Sequence, residues 1–306
     1  MPFIKLVAAL AVLAPLASGH FKFVRLSQNG VWKTPLQGIR NNTADFWEDH
    51  TIYGVSPFHL RTYMEPTFYG DFPESLRCGR DNMAWANGTE VLTINAGDGI
   101  EIAHVRQNPD QWEDSMFYNC PNGRATCYTD GYPADINHPG PLLVHLSKVP
   151  DGQDVRTYDG SGEWIKIFTM GLELRPNETN PVHWLPYNNQ GLPPRFTFKI
   201  PAQVPAGQYL MRMDILWPGY YYDPPYSNLS NVTAQHYPSC GQLNIISDSK
   251  TPLPQGVKIP EIFSPNSTGM TTNYSMYELK KLEDGYEYPG GLLWDGEKLI
   301  VDKAVR

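Results

Sequence analysis

His20 stands directly after a run that a secretory peptidase removes, and that position decides what its nitrogens can do. Residues 1–19 read MPFIKLVAALAVLAPLASG, with basic Lys5, an apolar run from Leu6 to Leu16, and small Ala17 and Gly19 at the cleavage positions. The apolar run is far short of the roughly 20 residues that cross a bilayer, so the stretch reads as a signal peptide. Cleavage after Gly19 makes His20 the first residue, with a free amino nitrogen beside its own imidazole. Together these nitrogens can chelate one ion, and Cu(II) favours nitrogen donors in a square or T-shaped plane. With 8 His in 306 residues, chance also places one there at times, so a second ligand is needed.

The stretch "NHPGPLLVHLS" (137–147) offers His138 as that ligand. Pro139, Gly140 and Pro141 fix the backbone around it and cannot continue a helix, which holds the imidazole on a rigid turn. A third element is "TAQHYPSCGQLNI" (233–245). Alternation puts Gln235, Tyr237 and Ser239 on one side and His236, Pro238 and Cys240 on the other. A phenol near copper could be a long axial ligand, and an amide two residues away could hydrogen-bond an oxygen species. A buried Tyr also serves simply as core.

These residues must be held by strands, because the apolar periodicity is two rather than 3.6. The segments 20–26, 89–105, 141–149, 163–168, 195–200, 208–216 and 241–246 alternate or run apolar between Pro- and Gly-rich turns. They predict an all-β chain, an antiparallel sandwich with long loops at 27–76, 106–137 and 217–236. Loops of that length tend to be functional. Residues 250–294, rich in Pro and Tyr, read as an extended arm on the sandwich, and no long amphipathic helix is expected.

Composition narrows the partners. A net charge of −8 argues against a nucleic acid or an anionic membrane, both of which require a basic face. Four Cys behind a signal peptide read as two disulfides in a secreted, extracellular protein. Sequons at Asn41, Asn87, Asn177, Asn228, Asn231, Asn266 and Asn273 fit a glycosylated surface. With 18 Tyr and 8 Trp, aromatic rings on loops suit a flat polymer of sugars. His50, His59, His104, His145, His183 and His236 lack ligand spacing and are expected to be structural or surface residues.

His20 after the leader, "HPGP" with His138, "GSGEWIKI" (160–167), "FTFKIPAQVPAGQYLMR" (196–212), "AQHYPSC" (234–240) and "YEYPGGLLW" (286–294) follow one another in an order that resembles fungal lytic polysaccharide monooxygenases of auxiliary-activity family nine. The resemblance spans almost the whole chain after residue 19. It implies an immunoglobulin-like β-sandwich with a flat face and one copper ion in a histidine brace. His20 would give its amino group and imidazole, His138 the third nitrogen, Tyr237 an axial contact, and Gln235 a hydrogen bond nearby. Cys78 would pair with Cys240, leaving Cys120 and Cys127 for a local loop bridge. Tyr286, and more weakly Tyr220 and Tyr221, would meet a sugar chain.

The implied domains are a signal peptide at 1–19, a copper monooxygenase sandwich at 20–294 and a C-terminal tail at 295–306. The implied chemistry is reductive: an external electron donor, a small molecule or cellobiose dehydrogenase, reduces copper. Oxygen or hydrogen peroxide then serves to oxidise carbon 1 or carbon 4 of a β-1,4-linked sugar in cellulose or hemicellulose. A monomer is expected. The sequence also departs from the family, which has "LRHE" followed by "ALH" where this chain has "MRMDILWPG" (211–219). Met213 and Asp214 replace the His-Glu pair, and the oxygen-facing His falls on Gly219. A copper-binding protein with little or no turnover is therefore the alternative function, and a non-catalytic polysaccharide binder the third.

Overall fold

Period-two alternation lets a single strand serve two cores at once, and the longest strand of this protein does so. The computed structural model describes residues 20–42, 46–48, 58–60, 65–70, 73–107, 109–118, 120, 136, 138–187, 195–222, 224 and 231–304. The signal peptide, Cys127, Asn228 and His50 lie outside them. Among the described residues the strands are, in chain order, β1 (Lys22–Gln28), β2 (Val31–Trp32), β3 (Phe46–Glu48), β4 (Phe58–Leu60), β5 (Leu92–Asn95), β6 (Gly99–Val105), β7 (Leu142–Lys148), β8 (Ile165–Met170), β9 (Leu172–Leu174), β10 (Val182–Trp184), β11 (Phe196–Lys199), β12 (Gly207–Ile215), β13 (Gly219–Tyr221), β14 (Ser239–Ile246), β15 (Thr271–Asn273), β16 (Leu293–Trp294) and β17 (Leu299–Ile300). The α-helices are short: α1 (Asn82–Ala86) and α2 (Tyr274–Tyr277).

Two sheets carry the architecture. One has the order β11-β6-β1-β2, the other β17-β16-β8-β7-β12-β14-β5. Most pairings are antiparallel, as expected, but β5 joins β14 and β16 joins β8 in parallel. Along β12, Tyr209, Met211, Met213 and Ile215 pack toward the smaller sheet with Phe21, Phe23, Ile102 and Phe198. Leu210, from the opposite face, packs with Leu76, Val155, Trp164 and Phe263. The second core is thus roofed by loops rather than strands. The Cys78–Cys240 disulfide ties that roof to β14.

The expected strands appear with small shifts. The run 89–105 divides into β5 and β6, because Gly97 takes φ +94° and Asp98 accepts from the Asn95 amide at 2.9 Å, closing a turn. Within 250–294 the chain is more than an extended arm, since it carries β15, α2 and β16. Residues 295–304, expected as a tail, hold β17 on β16, and Asp302 forms a buried 2.7 Å ion pair with Lys166 of β8.

Candidate metal centre

Three rings meet at the end of the sandwich where β1 begins. His20 lies with its ring centroid 5.9 Å from His138 and 5.7 Å from Tyr237. His138 sits on its Pro-Gly-Pro turn, and that turn is pressed against the end of β12. A Cβ on Gly140 would collide with the Leu216 carbonyl, and the Leu216 amide bonds the Pro141 carbonyl at 3.0 Å. Burial, and then the neighbouring His20, lowers the His138 pKa to about 4, so its imidazole is neutral and keeps a lone pair in mildly acidic water.

Tyr237 is buried and stacks on Phe21 at 4.7 Å. Its hydroxyl donates to Gln235 Oε1 at 2.7 Å, which leaves the phenol oxygen a lone pair to offer. Both residues share one side of the strand, as alternation required. From the other side, His236 faces Asp214 through Nδ1 at 2.9 Å and packs edge-on against Phe263.

Trp217 had no signal in the sequence beyond its place after β12. Its indole stacks on His138 at 4.2 Å with planes 9° apart, and its backbone exchanges two 2.9 Å hydrogen bonds with Gln235. One residue thereby fixes the plane of His138 and the position of Gln235. Gly219 belongs to β13, and a Cβ there would run into the Val232 carbonyl. No side chain can stand at that position in this backbone.

Asp214 does not reach the rings through its carboxylate. It accepts from Arg212 at 2.6 Å, from His236 and from the Tyr237 amide at 2.7 Å, all fully buried. Burial would raise its pKa, but Arg212 and His236 override that and hold it well below the usual carboxylate range. Asp214 is a support for the Tyr237 backbone. Lys22 lies close by, and burial followed by Arg80 pushes its ammonium down to about 7 against the pull of Asp214 and Glu65.

The expected sugar-contacting rings are mostly elsewhere. Tyr286 is buried among Trp184, Met276 and Tyr288, with its hydroxyl on the Gly269 carbonyl at 3.2 Å. Tyr220 is buried and stacks on Tyr277 at 4.3 Å. Both rings are buried and packed against other aromatic side chains. Tyr221 remains 38% exposed. Cys120 is disulfide-bonded, while Cys127 is outside the described residues. Asn87, Asn177, Asn231 and Asn266 are exposed, but Asn41 is 7% exposed and Asn273 caps α2 by accepting from Met276 N. The last two are poor glycan acceptors.

Among the described residues no group of three or more His, Cys, Asp or Glu side chains is gathered to hold a metal ion. A brace asks for less: two imidazoles and a main-chain nitrogen. His20 Nδ1 is buried without a directed hydrogen bond, although Glu65 Oε2 stands 3.3 Å from it, and a bound cation would satisfy the nitrogen. The donor set of His20, His138 and Tyr237 fits copper.

The sequence profile of Auxiliary Activity family 9 (formerly GH61) matches residues 62–286, a span that holds His138, Gln235 and Tyr237 but not His20. The chain is 26% identical over 294 residues to AA9 family lytic polysaccharide monooxygenase G of Aspergillus tamarii, covering 94% of this chain and 69% of that protein. It is 27% identical over 292 residues to monooxygenase H of Malbranchea cinnamomea, covering 95% and 99%. The fold is similar to the extended catalytic domain of H. jecorina LPMO9A, with TM-score 0.55, 17% identity and coverage of 94% and 96%.

Proposed function

The chain belongs to Auxiliary Activity family 9, and we propose that it is a secreted, copper-dependent lytic polysaccharide monooxygenase acting on a β-1,4-linked polysaccharide such as cellulose. The observation that carries the reading is the convergence of His138 and Tyr237 on His20, at ring-centroid distances of 5.9 and 5.7 Å, with His20 Nδ1 lacking a directed hydrogen bond. Removal of residues 1–19 would add the amino nitrogen of His20 to the same set. The apolar leader and the Cys78–Cys240 disulfide support secretion.

Copper bound there would supply a Cu(II)/Cu(I) couple able to use oxygen or peroxide, with electrons from a small-molecule reductant or cellobiose dehydrogenase. The protein's own part is geometric. Trp217 holds the His138 ring in plane, and the Asp214 carboxylate pins the Tyr237 amide. Gln235 accepts from the Tyr237 hydroxyl through Oε1, and its amide also carries the nitrogen donor that the reading assigns toward a reacting oxygen. A second reading, a copper-holding protein with little turnover, is favoured by Gly219, where packing forbids the second donor.

The test is to incubate the chain beginning at His20 with copper, ascorbate and a panel of glucans and xylans, and to read the products by mass spectrometry. Oxidised oligosaccharides that appear only with reductant support the monooxygenase. Tight copper binding without such products supports the second reading.

A further inference from the structure

The segment that carries His236 backs onto a cavity of about 450 Å³, a size suited to a small molecule. Tyr69, Phe263 and His236 contribute to its wall. The His236 ring is held through Nδ1 by Asp214, while its Nε2 is buried with no hydrogen-bond partner. A buried polar atom left in that state calls for one. A hydroxyl both donates and accepts, so it serves either protonation state of the nitrogen.

Two more wall residues are the exposed asparagines Asn231 and Asn266, each heading a sequon, Asn-Val-Thr and Asn-Ser-Thr. They arrive on separate loops, and both loops are fastened to β13. Val232 and Tyr220 exchange hydrogen bonds of 2.9 and 3.0 Å, and the Gly219 amide bonds the Met270 carbonyl at 3.0 Å. At Gly269 φ is +75° and a Cβ would meet the Glu287 carbonyl, which fixes the turn just after the second sequon. The cavity is thus preformed, with two glycan attachment points in its wall. Asn87 and Asn177 are exposed sequon residues outside that wall.

From this we propose that the cavity seats the first N-acetylglucosamine of a glycan that the protein itself carries, on Asn231 or Asn266. The apolar C–H face of the sugar meets the aromatic part of the wall, and its hydroxyl groups offer His236 Nε2 a partner. Attachment at the cavity gives an effective concentration on the order of mM, so weak contacts suffice to keep the sugar seated. This rests on the secretion reading above and is independent of the metal.

The experiment uses the full chain secreted by a yeast that adds high-mannose glycans. The folded protein is digested with endoglycosidase H, which cuts between the first two sugars, and each site is followed by mass spectrometry of its glycopeptide. The glycan at Asn231 or Asn266 should be cut about tenfold more slowly than those at Asn87 and Asn177, the factor for a core seated nine-tenths of the time. Denaturing the protein first should abolish the difference, and Tyr69→Ala should shrink it. Asn→Gln at the protected site should lower the melting temperature, whereas Asn87→Gln should not. Equal cutting at all four sites overturns the seat, and so does protection that Tyr69→Ala leaves intact or an equal loss of melting temperature from every Asn→Gln change. Bare Asn231 and Asn266 beside glycosylated Asn87 and Asn177 overturn the seat alone, while four bare sites overturn the secretion reading with it.

Discussion

The two faces of the segment 235–240 carry similar side chains under opposite conditions. On one face Gln235 and Tyr237 approach His20 and His138, whose nitrogens lack partners or lie at the edge of solvent. On the other, His236 meets Asp214 and Arg212, all at 0% exposure. A charge inside the fold is tied to its opposite, whereas a donor at the rim is left open for a ligand. Histidine type and strand side do not separate these roles; the neighbours do.

The largest effect should come from breaking the buried face. Asp214→Asn leaves the Arg212 guanidinium without its anion, and removing one partner of such a pair costs about 3–5 kcal/mol. Denaturant melts of the copper-free protein should show that loss. A change within error would mean that solvent reaches Arg212, and the contrast between the faces would fail.

Gln235→Leu probes the open face. Copper should stay bound while turnover falls by about 10²–10³, the scale for removing one preorganised donor. Reductant-driven peroxide formation measures it. Unchanged turnover would hand the oxygen-facing role to another group.

This contrast also marks how far the sequence could be read. Period two found eight main strands in seven segments and put Gln235 and Tyr237 on one side, because that rule is local. His20 and His138 came from chemistry and a Pro-Gly-Pro turn, both also local. Trp217 was invisible, since its approach depends on a bridge to Gln235, 18 positions away. The burial of Tyr286 and Tyr220 was hidden for the same reason: the rings that pack on them arrive from β10 and α2. Met213 and Asp214, expected to stand in place of a His-Glu pair, fill the core and anchor the Tyr237 amide respectively.

A smaller effect sharpens the comparison through pH. Burial, with help from Arg212 and Lys166, lowers the His145 pKa to about 3, although its bond to the Gly290 carbonyl opposes this. The unfolded chain takes up a proton near pH 6.5 and the folded chain does not. The stabilisation is therefore complete above about pH 6.5 and lost as pH falls from there toward 3, by at most about 1.4 kcal/mol per unit from this residue. Melting temperature against pH from 7 to 4 should fall more steeply for the native chain than for His145→Gln. Parallel curves would mean that His145 titrates normally.

The central claim is that the first residue after the leader completes a metal site, and one calorimetric comparison tests it most directly. Cu(II) is titrated at neutral pH into the chain beginning at His20 and into the same chain with one Met ahead of it. A free amine, with an ordinary pKa of about 7.7–8.0, yields its proton to copper far more readily than a peptide nitrogen does. The account predicts one tight site in the first protein and binding weaker by orders of magnitude in the second, whereas equal affinities would contradict it.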